Sequence, residues 1–154
     1  MKLVSLAAAI SLTRVSERTF WRRFSDGSAV RVTRNGKSMV SVDSIRDKLC
    51  IPFAPEDFDL IESADSGSAQ AQTELALIFL EHDDPLGAVY WLGLAAKQGF
   101  ADAMHLLGQC HIDGKGVAGD DNLGLIWIAK AARLGHPIAA AQMQALTRKP
   151  AGAA

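Results

Sequence analysis

Cysteine is scarce: 154 residues contain only Cys50 and Cys110. Two unpatterned thiols cannot supply a disulfide framework or a four-ligand zinc site, and a reducing compartment is the default expectation. No apolar run is long enough to span a bilayer. The stretch Leu3 to Leu12 after Lys2 is too short for a signal peptide and is followed at once by Arg14, Arg18, Arg22 and Arg23, so a cytoplasmic location without membrane contact is expected. Motifs of catalysis are missing as well. No nucleophile elbow occurs, and Gly114-Lys115-Gly116 lacks the spacing and preceding strand of a phosphate-binding loop. His105, Cys110, His111 and Asp113 lie close in sequence, but His105 and His111 are six apart and do not share a helical face as metal ligands would. These absences argue against an enzyme and against any metal or cofactor.

What is present is a charge split and a repeat. Residues 1–50 hold 10 Lys or Arg against 4 Asp or Glu, a balance of +6, whereas residues 51–154 hold 6 against 13, a balance of -7. Two functional halves are implied, the basic one facing a polyanion or an acidic protein surface, the chain's own acidic half included.

The repeat is clearest between Ala101 and Gly135. Trp91 precedes Trp127 by 36 residues, and Ala95-Ala96-Lys97-Gln98-Gly99 precedes Ala131-Ala132-Arg133-Leu134-Gly135 by the same distance. Gly67-Ser68-Ala69-Gln70-Ala71 matches Gly99-Phe100-Ala101-Asp102-Ala103 at a spacing of 32. The difference sits in one connection, since Glu81 to Pro85 is shorter than Gly114 to Asp121. Gly135-His136-Pro137-Ile138-Ala139 opens a further helix running to about Leu146. Ala101, Ala103, Leu107 and Gly108 give one helix a small apolar flank, and Trp127, Ala131 and Ala132 do the same for its partner. Such a hairpin buries its apolar face only against neighbours of its own kind, which is an α-solenoid. Tyr90, Trp91 and Trp127 then read as core residues first. Residues 55–65 read as a degenerate second helix serving as a cap, with Asp59 at the tryptophan position.

These residues resemble the Sel1-like repeats, relatives of the tetratricopeptide repeats, over about residues 55–147. Ala76 stands where the second repeat has Gly108. The resemblance implies an adaptor that holds other proteins on the inner curve lined by first helices, where Gln72, Glu74, His105 and Gln109 are the candidate protein-binding residues.

In the first 50 residues, Val4 to Ile10 reads as a short buried helix, Leu12-Thr13-Arg14 as a turn, and Val15 to Phe24 as a second helix. Ser16 is its N-cap, and Val15 can close on Phe20 as a hydrophobic staple. Phe20 and Phe24 share an inner face and Arg18, Trp21 and Arg22 an outer one. Asp26-Gly27 ends it. Two β-prone stretches, Ala29 to Thr33 and Ser38 to Val42, flank Asn35-Gly36, a strong hairpin turn. A strict two-residue turn pairs Val32 with Met39 yet sets Val40 and Val42 opposite Val30 and Val32, which a bulge or another turn would correct. Asp43 can cap a last helix, Ser44 to Leu49.

Ala7-Ala8-Ala9, Val15-Ser16-x-Arg18-Thr19-x-x-Arg22 and the hairpin ending at Val42-Asp43 resemble the winged helix-turn-helix domains of the excisionase and MerR-type families. The first helix departs from them in lacking an acidic residue. The resemblance implies DNA contact, with Arg18 and Arg22 in the groove or on phosphates, Trp21 against a sugar or covering the helix end, and Arg23, Arg34 and Lys37 on the backbone.

The expected architecture is thus mainly helical. A winged helix-turn-helix unit with a small β-hairpin spans 1–50, a linker and capping helix 51–66, a short solenoid 67–148, and a flexible tail 149–154. The expected function is a DNA-binding regulator or adaptor whose solenoid holds a protein partner or a second copy. The alternative is a protein-interaction scaffold in bacterial signalling whose winged unit no longer binds DNA. No long coiled-coil helix is present, so the repeats are the candidate dimer surface.

Overall fold

A computed structural model describes residues 1–148, and the tail expected from Lys149 lies outside the described residues. The chain opens with a strand, β1 (Leu3–Ser5), where a helix was expected. Val4 pairs with Val40 of β3 (Lys37–Ser41), and both side chains are buried. An unbroken apolar run does not distinguish strand from helix, and the choice here is made by a partner 36 residues away. Helix α1 (Leu6–Thr13) therefore starts late, capped by the Ser5 hydroxyl, which accepts from the Ala8 N–H. It runs through the expected turn and ends on Arg14, which takes the left-handed conformation at φ 56°.

Helix α2 (Glu17–Asp26) starts at Ser16, whose hydroxyl accepts from the Thr19 N–H, and stops at Gly27 with φ 79°. Phe20 is fully buried, and Phe24 lies against it with ring centroids 5.9 Å apart. Strand β2 (Arg31–Arg34) joins β3 through Asn35-Gly36, both at positive φ, so the turn is the tight two-residue one. No bulge is needed. Val32 does face Met39, while Val30 is 45% exposed and never seeks the face that buries Val40 and Val42. The sheet order is β1-β3-β2. Val42–Lys48 then forms a 3-10 helix rather than an α-helix. Asp43 lies within its first turn and bonds the Arg46 guanidinium instead of capping it.

Six helices follow: α3 (Asp57–Asp65), α4 (Ala69–Glu81), α5 (Pro85–Lys97), α6 (Ala101–Asp113), α7 (Asp121–Arg133) and α8 (Pro137–Thr147). They pack in chain order, with α4 on α5 and α6 on α7 as the two tight pairs. Asp84 caps α5 by accepting from the Gly87 N–H, and Asp120, 36 residues later, caps α7 by accepting from the Leu123 N–H. The α6–α7 crossing is nearly backbone on backbone. A Cβ on Gly108 would lie 2.8 Å from the Gly124 carbonyl oxygen, and one on Gly124 would lie 2.7 Å from that of Gly108. In the α4–α5 pair the same positions hold Ala76 and Ala88, both fully buried.

One continuous core joins the N-terminal unit to the helices, running from Val4, Ala8 and Phe20 through Ile61 and Phe79 to Ile128. Polar ties cross the same junction. The Asp65 carboxylate accepts from the Ser5 N–H at 2.6 Å and from its hydroxyl, Lys2 pairs with Asp59, and Arg14 pairs with Asp84. Asp59, at the tryptophan position of α3, is thus an exposed ion-pair partner of the first unit.

Candidate functional site

Successive first helices of the array, α4 and α6 with the start of α8, bound an open cleft of about 510 Å³. Its lining is mostly apolar: Leu77 on α4, Phe100 and Leu106 at α6, and Ile138 on α8. Leu77 is 40% and Ile138 57% exposed, so both present bare hydrocarbon to the opening. The charged groups on its wall are Glu74 and Asp102, and no Lys or Arg lines it.

Two imidazoles form its far wall. His105 stacks on His136 with centroids 4.5 Å apart and planes at 21°. His136 is the N-cap of α8, its Nδ1 accepting from the Ala139 N–H at 3.1 Å, which leaves Nε2 facing the Asp102 carboxylate at 3.3 Å. His105 donates through Nε2 to the Gln142 side-chain oxygen at 3.0 Å. Burial, and then the neighbouring His136, hold its pKa below the ordinary 6.5, against smaller upward pulls from Gln142 and Asp102. His105 is therefore neutral at neutral pH, and the cleft carries two carboxylates and no Lys or Arg.

Of the four residues expected on the inner curve, Glu74 and His105 line this cleft. Gln72 does not. It is buried, its amide donating to the Ala64 carbonyl while its oxygen accepts from Gln98, so it joins α3, α4 and the end of α5 and has no free group for a partner. Gln109 lies elsewhere, in a smaller groove of about 360 Å³ with Ile112, Leu125 and Leu146. Leu77, Leu106, His136 and Ile138 were not singled out from the sequence. The spacing of 32 that equates Glu74 with Leu106 was the signal that could have found one of them.

In the N-terminal unit, Arg18, Arg22, Arg34 and Lys37 are exposed and Arg23 is half-buried. None makes an ion pair among the described residues. The Arg22 and Arg23 charges help hold the Asp26 carboxyl below its usual range, after the larger effect of its hydrogen bonds to Ser28. Trp21 is 40% exposed but engaged. Its Nε1 donates to Glu17, its ring meets Phe24 edge-on, and the Arg31 guanidinium sits 5.1 Å from the ring centre.

Burial raises both cysteine pKa values, with the Asp113 charge adding to the effect at Cys110, which disfavours the thiolate. No group of three or more His, Cys, Asp or Glu side chains among the described residues is placed to hold a metal ion. None of the described helices is long and apolar enough to cross a membrane.

Comparison with known proteins agrees with the helical geometry. A crystal structure of a Sel1 repeat protein from Oxalobacter formigenes superposes with a TM-score of 0.53 at 32% identity, over 56% of this chain and 26% of that one. Human wolframin is 37% identical over 78 residues, 46% of this chain and 8% of wolframin. The chain thus spans about a quarter of the first protein and under a tenth of the second. Residues 69–100 and 101–136, the spans that hold α4–α5 and α6–α7, each match the Sel1 repeat family model.

Proposed function

We propose that the protein is an interaction adaptor that seats a protein partner in the cleft between α4, α6 and α8. The observation that carries this is the cleft itself. It is an acid-rimmed, largely apolar opening on the first helices of two adjacent Sel1-like repeats, with Leu77 and Ile138 exposed in it and none of the described residues filling it. Apolar surface of this kind is stabilised when a partner removes it from water. The N-terminal unit, fused to α3 and α5 by Ser5–Asp65 and Arg14–Asp84, then serves as a rigid end cap and a second docking platform.

The test is affinity capture with the tagged chain, with and without nuclease, beside an Ile138→Glu variant. The reading expects a protein that survives nuclease, is lost with Ile138→Glu, and binds the purified chain directly. A partner retained by the variant would move the binding surface elsewhere.

A second reading assigns the N-terminal unit a winged helix-turn-helix role on DNA. It is supported by the order β1-α1-α2-β2-β3 and by the exposed Arg18, Arg22, Arg34 and Lys37, which make no ion pair among the described residues. Under it, the intact protein binds duplex DNA with a steep salt dependence that flattens in the Arg18→Ala/Arg22→Ala variant. Absent or salt-independent binding would leave the adaptor reading alone.

A further inference from the structure

We infer that the cleft between α4, α6 and α8 selects a linear segment of its partner in which a Lys or Arg is set among apolar residues, an inference that rests on that cleft being the partner's seat. The observation behind it is how charge and hydrocarbon alternate across the opening. The repeat register aligns the three first helices, so residues 32 and then 36 apart stand at equivalent positions. One such row is Gln70, Asp102 and Ile138, and the next, one turn further along the helices, is Glu74, Leu106 and Gln142. Both carboxylates therefore have hydrocarbon at the equivalent position of the following helix, Leu106 for Glu74 and Ile138 for Asp102, and all four residues line the cleft.

Glu74 and Asp102 are exposed, and neither pairs with a Lys or Arg among the described residues. Glu74 accepts from the Gln70 amide at 3.0 Å, and Asp102 faces the His136 Nε2 at 3.3 Å. A cation on a hydrocarbon stem fits this pattern. Lys and Arg lay their methylenes along apolar surface while the charged head reaches outward. One such side chain can cover Leu77 or Leu106 and end at the Glu74 carboxylate. An acidic segment would set like charges together between apolar walls, and a wholly apolar one would strip water from both carboxylates without replacing it. The other side of the second repeat has the opposite sign. Met104, on the same helix as Asp102, lies in a groove of about 330 Å³ with Lys130, Arg133 and Leu134 and no carboxylate. A basic segment is disfavoured there and favoured in the cleft.

Selection of random linear peptides displayed on phage, against the immobilised full chain, tests this. Enriched sequences are expected to carry Lys or Arg beside Leu, Ile or Phe. A synthetic copy of one, followed by fluorescence anisotropy, should bind Glu74→Gln/Asp102→Asn about tenfold or more weakly than the wild type, and its affinity for the wild type should fall as salt rises. These substitutions keep the shape of each side chain and its neutral hydrogen-bond partner. Leu77→Ser/Ile138→Ser, which strips the apolar surface and leaves the charges, should also weaken the peptide by about tenfold or more. Unchanged circular dichroism confirms that each variant is folded. The two variants separate the two ideas. Peptides lost with Leu77→Ser/Ile138→Ser that lack a basic residue, or that ignore the loss of the carboxylates, overturn the selection by charge and leave the cleft as the partner's seat. Peptides that ignore Leu77→Ser/Ile138→Ser bind elsewhere and overturn the seat and the inference together. A selection that enriches nothing overturns the linear segment and leaves the seat to the capture experiment.

Discussion

Trp91 and Trp127 occupy the same place in two helices 36 residues apart, yet Trp91 is 1% exposed and Trp127 is only half-buried. Their own repeats do not explain the difference. Helix α5 is covered twice. The second repeat's connection folds over its start, so closely that a Cβ on Gly116 would lie 2.4 Å from the Pro85 carbonyl oxygen. The N-terminal unit closes from the other side, with Ala7, Ile10 and Arg14 facing Leu86, Gly87 and Tyr90. Among the described residues, α7 has α6 and α8 and no second unit of this kind. In a stacked array burial comes from the neighbour, so identical residues contribute unequally along it.

The largest test of that comparison is truncation of the two indoles. Trp91→Ala should cost about 3–5 kcal/mol, as a fully buried aromatic does. Trp127→Ala should cost less than half as much in monomeric protein, since part of its ring already meets water. Urea unfolding followed by far-UV circular dichroism compares them. Equal losses would mean that both indoles are covered alike and that the difference in exposure has no energetic content.

How much of this was legible in the sequence follows the same division. The tandem hairpins could be read from spacings alone, because local contacts and a repeating pattern specify them. The Ser16 cap and the Asn35-Gly36 turn were legible for a similar reason, being written in adjacent residues. Strand β1 was not, because Val4 becomes extended only through Val40, far along the chain. Nor was the fate of Gln72. A glutamine on a first helix looks the same in sequence whether it faces a groove or donates into the preceding hairpin, and only the packing of α3 decides. Of the four candidate residues, Glu74 and His105 line the cleft, because the repeat register places both on first helices that bound it. His136 was missed because its role is to cap α8, a position where the first repeat uses the serine hydroxyl of Ser68.

The close approach of α6 and α7 gives the next largest contrast. Gly108→Ala gains about 1 kcal/mol of intrinsic helix stability. It must also push a methyl against the Gly124 carbonyl and the Ile128 side chain, which cannot both yield, so a net loss of about 1–3 kcal/mol is expected. The mirror change Ala76→Gly, in the first repeat, should cost about 1–2 kcal/mol, through helix propensity and the loss of a buried methyl. A stabilised Gly108→Ala would show that the two repeats pack at the same distance.

The capping aspartates differ more modestly. Asp120→Ala removes a cap at an exposed helix start and should cost about 1 kcal/mol. Asp84→Ala removes the equivalent cap and also strands Arg14, its partner across the junction with the N-terminal unit, so the loss should be larger by about 1 kcal/mol. An Arg14→Ala/Asp84→Ala double-mutant cycle isolates that excess. A coupling near zero would mean that the junction is held by its apolar contacts alone.

The smallest effect separates the repeats by pH. His105 in the second repeat stands where the first has Thr73, whose hydroxyl donates to the Ala69 carbonyl and does not titrate near neutrality. Burial holds His105 below its ordinary 6.5, so between the lowered folded value and 6.5 the unfolded chain carries a proton that the folded chain lacks. The stability associated with neutral His105 is therefore complete above about pH 6.5 and declines as pH falls toward the folded value, with a slope of at most about 1.4 kcal/mol per pH unit for one proton. Below the folded value it falls no further. The groups facing the ring act within this sign: His136 opposes protonation, while Gln142 and Asp102 favour it without reversing the effect of burial. His105→Thr, which installs the first repeat's residue, should flatten the curve between pH 7 and pH 5 while leaving the Trp91 and Trp127 contrast in place. A variant with the wild-type slope would assign the acid sensitivity to another group and leave the two repeats alike in their response to protons.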